Sequence, residues 1–436
     1  MTFQSLFNFI LDSINYKNQK VTTSQEEIYS VDLKLEDKIE FEKLFEAYNS
    51  DFKFYFKSPT DISPNIAFGK FAEFDNLNDL NSFLSVNKHC SFKAFGGIEF
   101  NNKTKDDTIW NGYNNKRFVI PQIEFFNNSS KNFARLNFKN KDQIKKLFEK
   151  FDSNSNIQYK NKLLQTSYYP EKNTWNDKIN KCLKLFENGE LNKIVLSRRA
   201  ELIFKNDIDL SELFLNLRSQ SLNSYNFYYS FEKNSAFMGI SPERLFKKTG
   251  NILFSDSLAG TRARGKNVTE DSELEVKLKN NKKELLEHEF VTKSIIKSLN
   301  TISKDVHSLN EVEVKKFKNV QHLYSEIKAD LSQDINIERI LEVLHPTPAV
   351  GGVPKEKSVE YINELEKFDR GWYAAPVGFI SNEVSEFCVG IRSGLAKENK
   401  LYIYTGAGIV PGSVPEYEWE ELNKKMDNFL NIINNF

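Results

Sequence analysis

Cysteine is scarce in this 436-residue chain: Cys90, Cys182 and Cys388 stand far apart, with no CxxC pair among them. Neither a disulfide framework nor a cysteine-based zinc site is expected. Histidine is nearly as sparse, at five residues, so no imidazole cluster points to a transition metal. An excess of either charge is also missing. Sixty Lys+Arg balance sixty Asp+Glu, which leaves no global field to attract nucleic acid or an anionic membrane. No uninterrupted apolar run approaches about 18 residues, so no helical membrane span is expected. The opening MTFQSLFNFILDSINYK has no basic segment and no small-residue cleavage site, and Asp12 interrupts its apolar run. A soluble protein of a reducing cytosol is the expectation.

What is present is patterned. Phe3, Leu6, Phe7, Ile10, Leu11 and Ile14 recur at helical spacing, and residues 1 to about 55 read as helical segments. From about 52 to 126 the chain turns to short strands rich in Phe, Ile and Val. Within them, Phe92-Lys-Ala-Phe-Gly-Gly-Ile-Glu-Phe100 puts a glycine pair inside a strand pattern, a sign of a bulge or a close backbone approach. A polar stretch at 152–175 reads as a junction. Beyond it are a helix near 175–188, a strand from Lys193, a helix near 210–219, strands at 225–231 and 235–240, and another at 251–255. The glycine turn LAGTRARG (258–265) then leads into one long charged helix, about 271–299. Mixed elements at this length predict an α+β protein, with antiparallel sheets covered by helices.

Near the C-terminus, the strand Leu401–Thr405 breaks into a turn with Gly406, Gly408 and Gly412, and Pro415 opens a helix. Glu418, Glu421 and Lys425 fall at i, i+3 and i+7 and share one helix face. That face borders an apolar stripe of Trp419, Leu422, Met426, Leu430 and Ile433. Read alone, this is an ordinary capped helix with a Glu421–Lys425 pair. Other candidates are equally plain in isolation. Lys193 begins a β-branched strand; a desolvated lysine beside other cations loses its proton readily and can act as a base. Glu243, in Ser241-Pro-Glu-Arg244, would hold its proton if buried and serve as an acid. Glu287 sits over the apolar stripe of its helix and wants a cation, a hydrogen bond or a proton. With Glu418 and Glu421 it offers the few hard oxygens that Mg²⁺ accepts. His322 and His345 are isolated, and Arg392 suits either a carboxylate clamp or the surface.

Order and spacing make these weak signals specific. KIVLSRRAEL, SPERLF, LAGTRARG, EHEF, VQHLYSEIKADL, LHPTPAVGG, GWYAAPVGFI, CVGIRSG, YTGAGIVPGS and EWEELNKK follow one another from about Asn192 to the C-terminus. The run resembles the chorismate-utilising enzymes, and the likeness extends more faintly to FGGIEF, Trp110 and Phe118–Pro121. The resemblance implies one α/β unit of two stacked antiparallel sheets wrapped by helices. In it, residues 1–90 form a divergent N-terminal part and 91–436 the chorismate-binding catalytic part, and the polar junction is a surface crossing.

By the same resemblance Lys193 activates water for attack at C2 of chorismate, and Glu243 protonates the departing C4 hydroxyl. Glu287 and Glu421 bind Mg²⁺, with Glu418 helping through water. Gly260 and Lys425 meet the ring carboxylate; Arg392, Gly406 and Gly408 hold the enolpyruvyl carboxylate; His322 lines the pocket. Three positions discriminate within the family. Ammonia-using members place glutamine where Lys193 stands. Members that capture substrate covalently place lysine where Ala259 stands. Ala349 and Val350, in HPTPAVGG, resemble the branch that converts chorismate to isochorismate. That isomerisation is the expectation. Salicylate synthesis, which adds pyruvate elimination, is the nearest rival, ahead of anthranilate synthesis or a non-catalytic chorismate-binding role. No redox cofactor, nucleic acid or membrane partner is implied, and a monomer is expected.

Overall fold

A computed structural model describes residues 3–16, 21–22, 27–36, 39–101, 108–128, 131–152, 161–220, 223–318 and 320–433. The chain starts with helix α1 (Phe3–Tyr16), strand β1 (Glu27–Leu35), helix α2 (Phe41–Ala47) and strand β2 (Lys53–Lys57). β1 corrects the expectation of an all-helical start. Val31, Leu33 and Leu35 alternate inward along Glu27-Ile-Tyr-Ser-Val-Asp-Leu-Lys-Leu35, and that period of two makes a half-buried strand.

The FGGIEF segment supplies β3 (Lys93–Ile98). It runs in unbroken register, and its glycines serve close approach. A Cβ on Gly96 would strike the Arg117 carbonyl, and one on Gly97 would lie 2.9 Å from the Trp372 ring. Next come β4 (Leu163–Tyr169) and β5 (Lys193–Phe204), which pair with each other. The end of the polar junction is therefore sheet; residues 153–160 lie outside the described residues.

Helix α3 (Leu210–Arg218), β6 (Tyr225–Glu232), β7 (Ser235–Ser241) and β8 (Ile252–Ala263) follow. β8 absorbs the supposed LAGTRARG turn: Leu258–Ala263 stay paired with β9 (Val320–Leu331), and the glycine signal is a bulge at Gly260, whose φ is +72°. The long charged helix is two, α4 (Val268–Lys279) and α5 (Lys282–Leu299). They break at Asn280–Asn281, where the Asn281 side chain accepts from Glu284 N at 3.1 Å as a helix cap.

β10 (Ser393–Lys397) and β11 (Lys400–Ile409) complete the sheet ahead of α6 (Pro415–Ile433). β11 runs through Gly406 and Gly408, which pair with Ser197 and Val195 of β5, so the turn begins only after Ile409. Pro415 does open α6.

Among the described residues these strands belong to two antiparallel sheets, of 13 and 10 strands. The larger contains the run β2–β6–β7–β10–β11–β5–β4; the smaller contains β9, β8 and β3. Inward Phe54, Phe56, Phe95 and Phe379 of the strands, with Trp372 from a turn, pack the sheets face to face. A second core, with Phe45, Tyr55, Ile403 and Met426, lies between the larger sheet and its helices. Phe95 is fully buried, and truncating such a residue to alanine costs about 3–5 kcal/mol.

Candidate active site

The sandwich leaves one end open. Lys193 is the first residue of β5, and its antiparallel neighbour β11 brings Gly406 and Gly408 to the same end. Glu243 lies two residues beyond the end of β7, and Arg392 directly precedes the first residue of β10. Gly260 near the end of β8 lies beside His322 near the start of β9. Helices α5 and α6 bring Glu287 and Glu418, Glu421 and Lys425 to that end. Every residue to which the resemblance gives a role, with Ala349, lines a single cavity of about 740 Å³.

Glu243 is 5 % exposed, and Thr347 Oγ1 donates to its Oε1 over 3.5 Å. Burial pushes its carboxyl up to about 8, with help from the Asp256 charge; Lys193 and the Thr347 hydrogen bond pull the other way. Glu243 therefore keeps its proton at neutral pH. Lys193 reaches across the cavity to α5, its Nζ 3.5 Å from Glu287 Oε1. Its stem fills the space left by Gly408, where a Cβ would lie 3.2 Å from Lys193 Cε.

The Lys425 ammonium donates to the Gly406 carbonyl at 2.8 Å and pairs with Glu421 Oε1 at 2.6 Å. Burial pushes its pKa down and Glu421 opposes that shift. His322 Nδ1 bonds the Thr261 hydroxyl at 2.9 Å, and burial drives its pKa down to about 3, so the imidazole is neutral. Arg392 holds a left-handed backbone, φ +52°, that L side chains seldom adopt.

Besides Glu243, four carboxylates line the cavity: Glu284, Glu287, Glu418 and Glu421. Burial raises the pKa of Glu284 and Glu418, and the neighbouring Glu287 and Glu421 respectively raise them further. Mutual repulsion of this kind is relieved by a cation. Among the described residues no group of three or more His, Cys, Asp or Glu side chains is placed to hold a metal ion. Mg²⁺ needs none, since it takes one or two carboxylates and completes its shell with water and substrate oxygens. The donor set therefore fits an open magnesium site.

A scan against family models matches residues 15–434 to "Chorismate binding enzyme". The chain belongs to that chorismate-binding family. An isochorismate synthase of Haemophilus influenzae is 29% identical, with 98% of each chain covered. The chloroplastic isochorismate synthase of Catharanthus roseus is 32% identical over 87% of this chain, which spans 66% of that longer protein. The solved menaquinone-specific isochorismate synthase MenF of Escherichia coli superposes with a TM-score of 0.89 at 26% identity, covering 99% of this chain and 100% of the other. The chorismate-binding fold is thus shared along the whole length.

Sequence reasoning missed several residues in or beside this cavity. Glu284 precedes Glu287 by one helical turn, so the same i, i+3 spacing that flagged α6 was available on α5. Tyr373, which also lines the cavity, had no such signal, nor had Thr347, which acts on the cavity only through its hydrogen bond to Glu243. Asp256 is not among the lining residues and acts on Glu243 through its charge. In contrast, Glu416 pairs with Lys172 at 2.6 Å on the surface, away from the cavity. His345 is a buried core histidine, with Nε2 3.0 Å from the Phe100 carbonyl oxygen.

Proposed function

We infer that the protein is an isochorismate synthase, converting chorismate to isochorismate in a magnesium-dependent reaction. The single observation that carries this is the pairing of Lys193 with a proton-bearing Glu243 in one cavity, where base and acid attack one ring. Lys193 takes a proton from water as the water oxygen bonds to C2. The ring double bonds shift, the C4–O bond breaks, and Glu243 gives its proton to the departing hydroxide. One water enters and one leaves, so no redox cofactor is needed.

Chorismate is a dianion, and the cavity supplies fixed positive groups for it. Arg392 faces the enolpyruvyl carboxylate, with Gly406 and Gly408 keeping β11 bare of side chains there. Lys425 and the Gly260 backbone meet the ring carboxylate. Glu287 and Glu421 would hold Mg²⁺, with Glu418 acting through water; the ion supplies positive charge to the ring carboxylate. Residues 1–90 serve as part of the same unit, since β2 pairs with β6 of the larger sheet. The enzyme works as a monomer in the cytoplasm, and its product feeds either menaquinone or catecholate siderophore synthesis.

Purified protein incubated with chorismate and Mg²⁺ tests this. Isochorismate should accumulate without pyruvate. Stoichiometric pyruvate in a lactate-dehydrogenase-coupled assay, with no lyase added, would favour the salicylate synthase reading instead.

A further inference from the structure

A second cavity, of about 280 Å³, opens on the outer side of the larger sheet beneath α2 and α3. It shares no lining residue with the catalytic cavity, and its size is at the small end of ligand pockets, which run from about 300 Å³ upward. Lys53 of β2 forms part of its wall and is 3 % exposed. Its ammonium donates to the Tyr48 carbonyl at 3.0 Å and to Ser211 Oγ at 2.7 Å, over the Phe45 ring at 4.1 Å. None of these carries a full negative charge, and among the described residues Lys53 forms no ion pair. A buried cation without a counter-charge is costly. Burial accordingly pushes its pKa down to about 7, against the pull of Asp209 and Glu46.

The rim has the opposite character. Exposed Glu46 and Asp209 and half-exposed Glu212 surround the opening, with Lys233 on one side. Burial raises Glu46 and Glu212, and the Asp209 charge raises both further. Asp209 is fixed in place because it caps α3, accepting from Ser211 N at 3.0 Å and Glu212 N at 2.9 Å. A cation inside and a ring of acids outside complement a molecule carrying both charges.

We propose that this cavity binds a small zwitterion of the amino-acid class, its carboxylate on Lys53 and its ammonium at the Glu46–Asp209–Glu212 rim. A simple anion would be repelled by the rim, and a simple cation would leave Lys53 unpaired. Helix α3 packs against α2, β7 and α6, so an occupant braces the helix that touches both the strand leading to Glu243 and the helix carrying Glu421. The inference does not depend on the reaction assigned to the catalytic cavity.

Thermal shift and calorimetry on the full chain, with the twenty amino acids, β-alanine and 4-aminobutyrate, test it. At least one zwitterion should raise Tm and bind, while its carboxylate-only and amine-only analogues bind at least tenfold more weakly. Lys53→Met should weaken binding at least tenfold. The Glu46→Gln/Glu212→Gln variant, altered only at the rim, should do the same and remains decisive if Lys53→Met folds poorly. No binder at 10 mM, equal binding by the carboxylate-only analogue, or undiminished binding to the rim variant would overturn the proposal.

Discussion

Lys193 Nζ and Glu287 Oε1 face each other at 3.5 Å, although 94 residues separate them in the chain. The base of the proposed reaction thus rests against one of the proposed metal ligands. Replacing Lys193 with alanine should lower kcat by about 10²–10⁴, the usual contribution of a general base. Chorismate binding in the presence of Mg²⁺, measured by calorimetry, should persist, because Arg392 and Lys425 remain. Near-normal turnover in this variant would remove Lys193 from the chemistry.

Glu243 sets a pH limit. The acid must be protonated to act, and its pKa in the free protein is raised to about 8, so kcat/KM should fall as pH rises through about 8. Stability moves in the same direction. Between the ordinary carboxyl range and about 8 the folded protein retains a proton that the unfolded chain has released, so stability declines as pH rises across that window. Glu243→Gln should abolish the decline and melt higher than the unaltered protein at pH 9, while losing about 10²–10⁴ in kcat. A variant that loses activity but keeps the same stability profile would place the titration elsewhere.

The carboxylate pairs predict a metal dependence with a signature apart from rate. Chelation should stop turnover and Mg²⁺ should restore it. Glu287→Gln and Glu421→Gln should each weaken Mg²⁺ binding by at least tenfold in calorimetry. Glu416→Gln, which changes only a surface partner of Lys172, should leave it unaltered. Equal Mg²⁺ affinity in all three would displace the metal from this cavity.

The sequence disclosed the site better than the backbone around it. Lys193, Glu243, Glu287 and Lys425 are plain in isolation, and only the order of motifs along the chain, through the family resemblance, draws them together. Gly260, Gly406 and Gly408 line the cavity from strands, although their sequence pattern reads as turns. Glycine marks both a turn and a strand stripped of side chains, and only the neighbour distinguishes the two. The neighbours are Val195 opposite Gly408 and the stem of Lys193 above it. β1 was hidden for a related reason: its alternation spans nine residues, and the flanking helical patterns outweighed it. The Asp256 effect on Glu243 was invisible, because the fold alone brings those charges together.

Gly408 offers a test of that packing. A methyl group there would stand 3.2 Å from Lys193 Cε, tight enough that the lysine must shift by a few tenths of an ångström. Gly408→Ala should therefore fold normally and bind chorismate, yet lose about tenfold or more in kcat, since a displaced base is a poor one. Unchanged kcat would mean that Lys193 is not held in its working position by this strand.

Arg392 separates strain from charge. Its backbone sits at φ +52°, a conformation that costs a non-glycine residue about 1–3 kcal/mol and persists where function requires it. Arg392→Gly should relieve that cost and hold or raise Tm, while kcat/KM for chorismate falls steeply through loss of the guanidinium. Arg392→Lys keeps the strain and the charge but not the two-pronged geometry that grips a carboxylate. Its kcat/KM should lie between those of the other two forms, with most of the loss in KM. If the glycine variant were as active as the unaltered protein, the strained backbone would have no part in holding substrate, and the enolpyruvyl carboxylate would have to be met by another cation of the cavity.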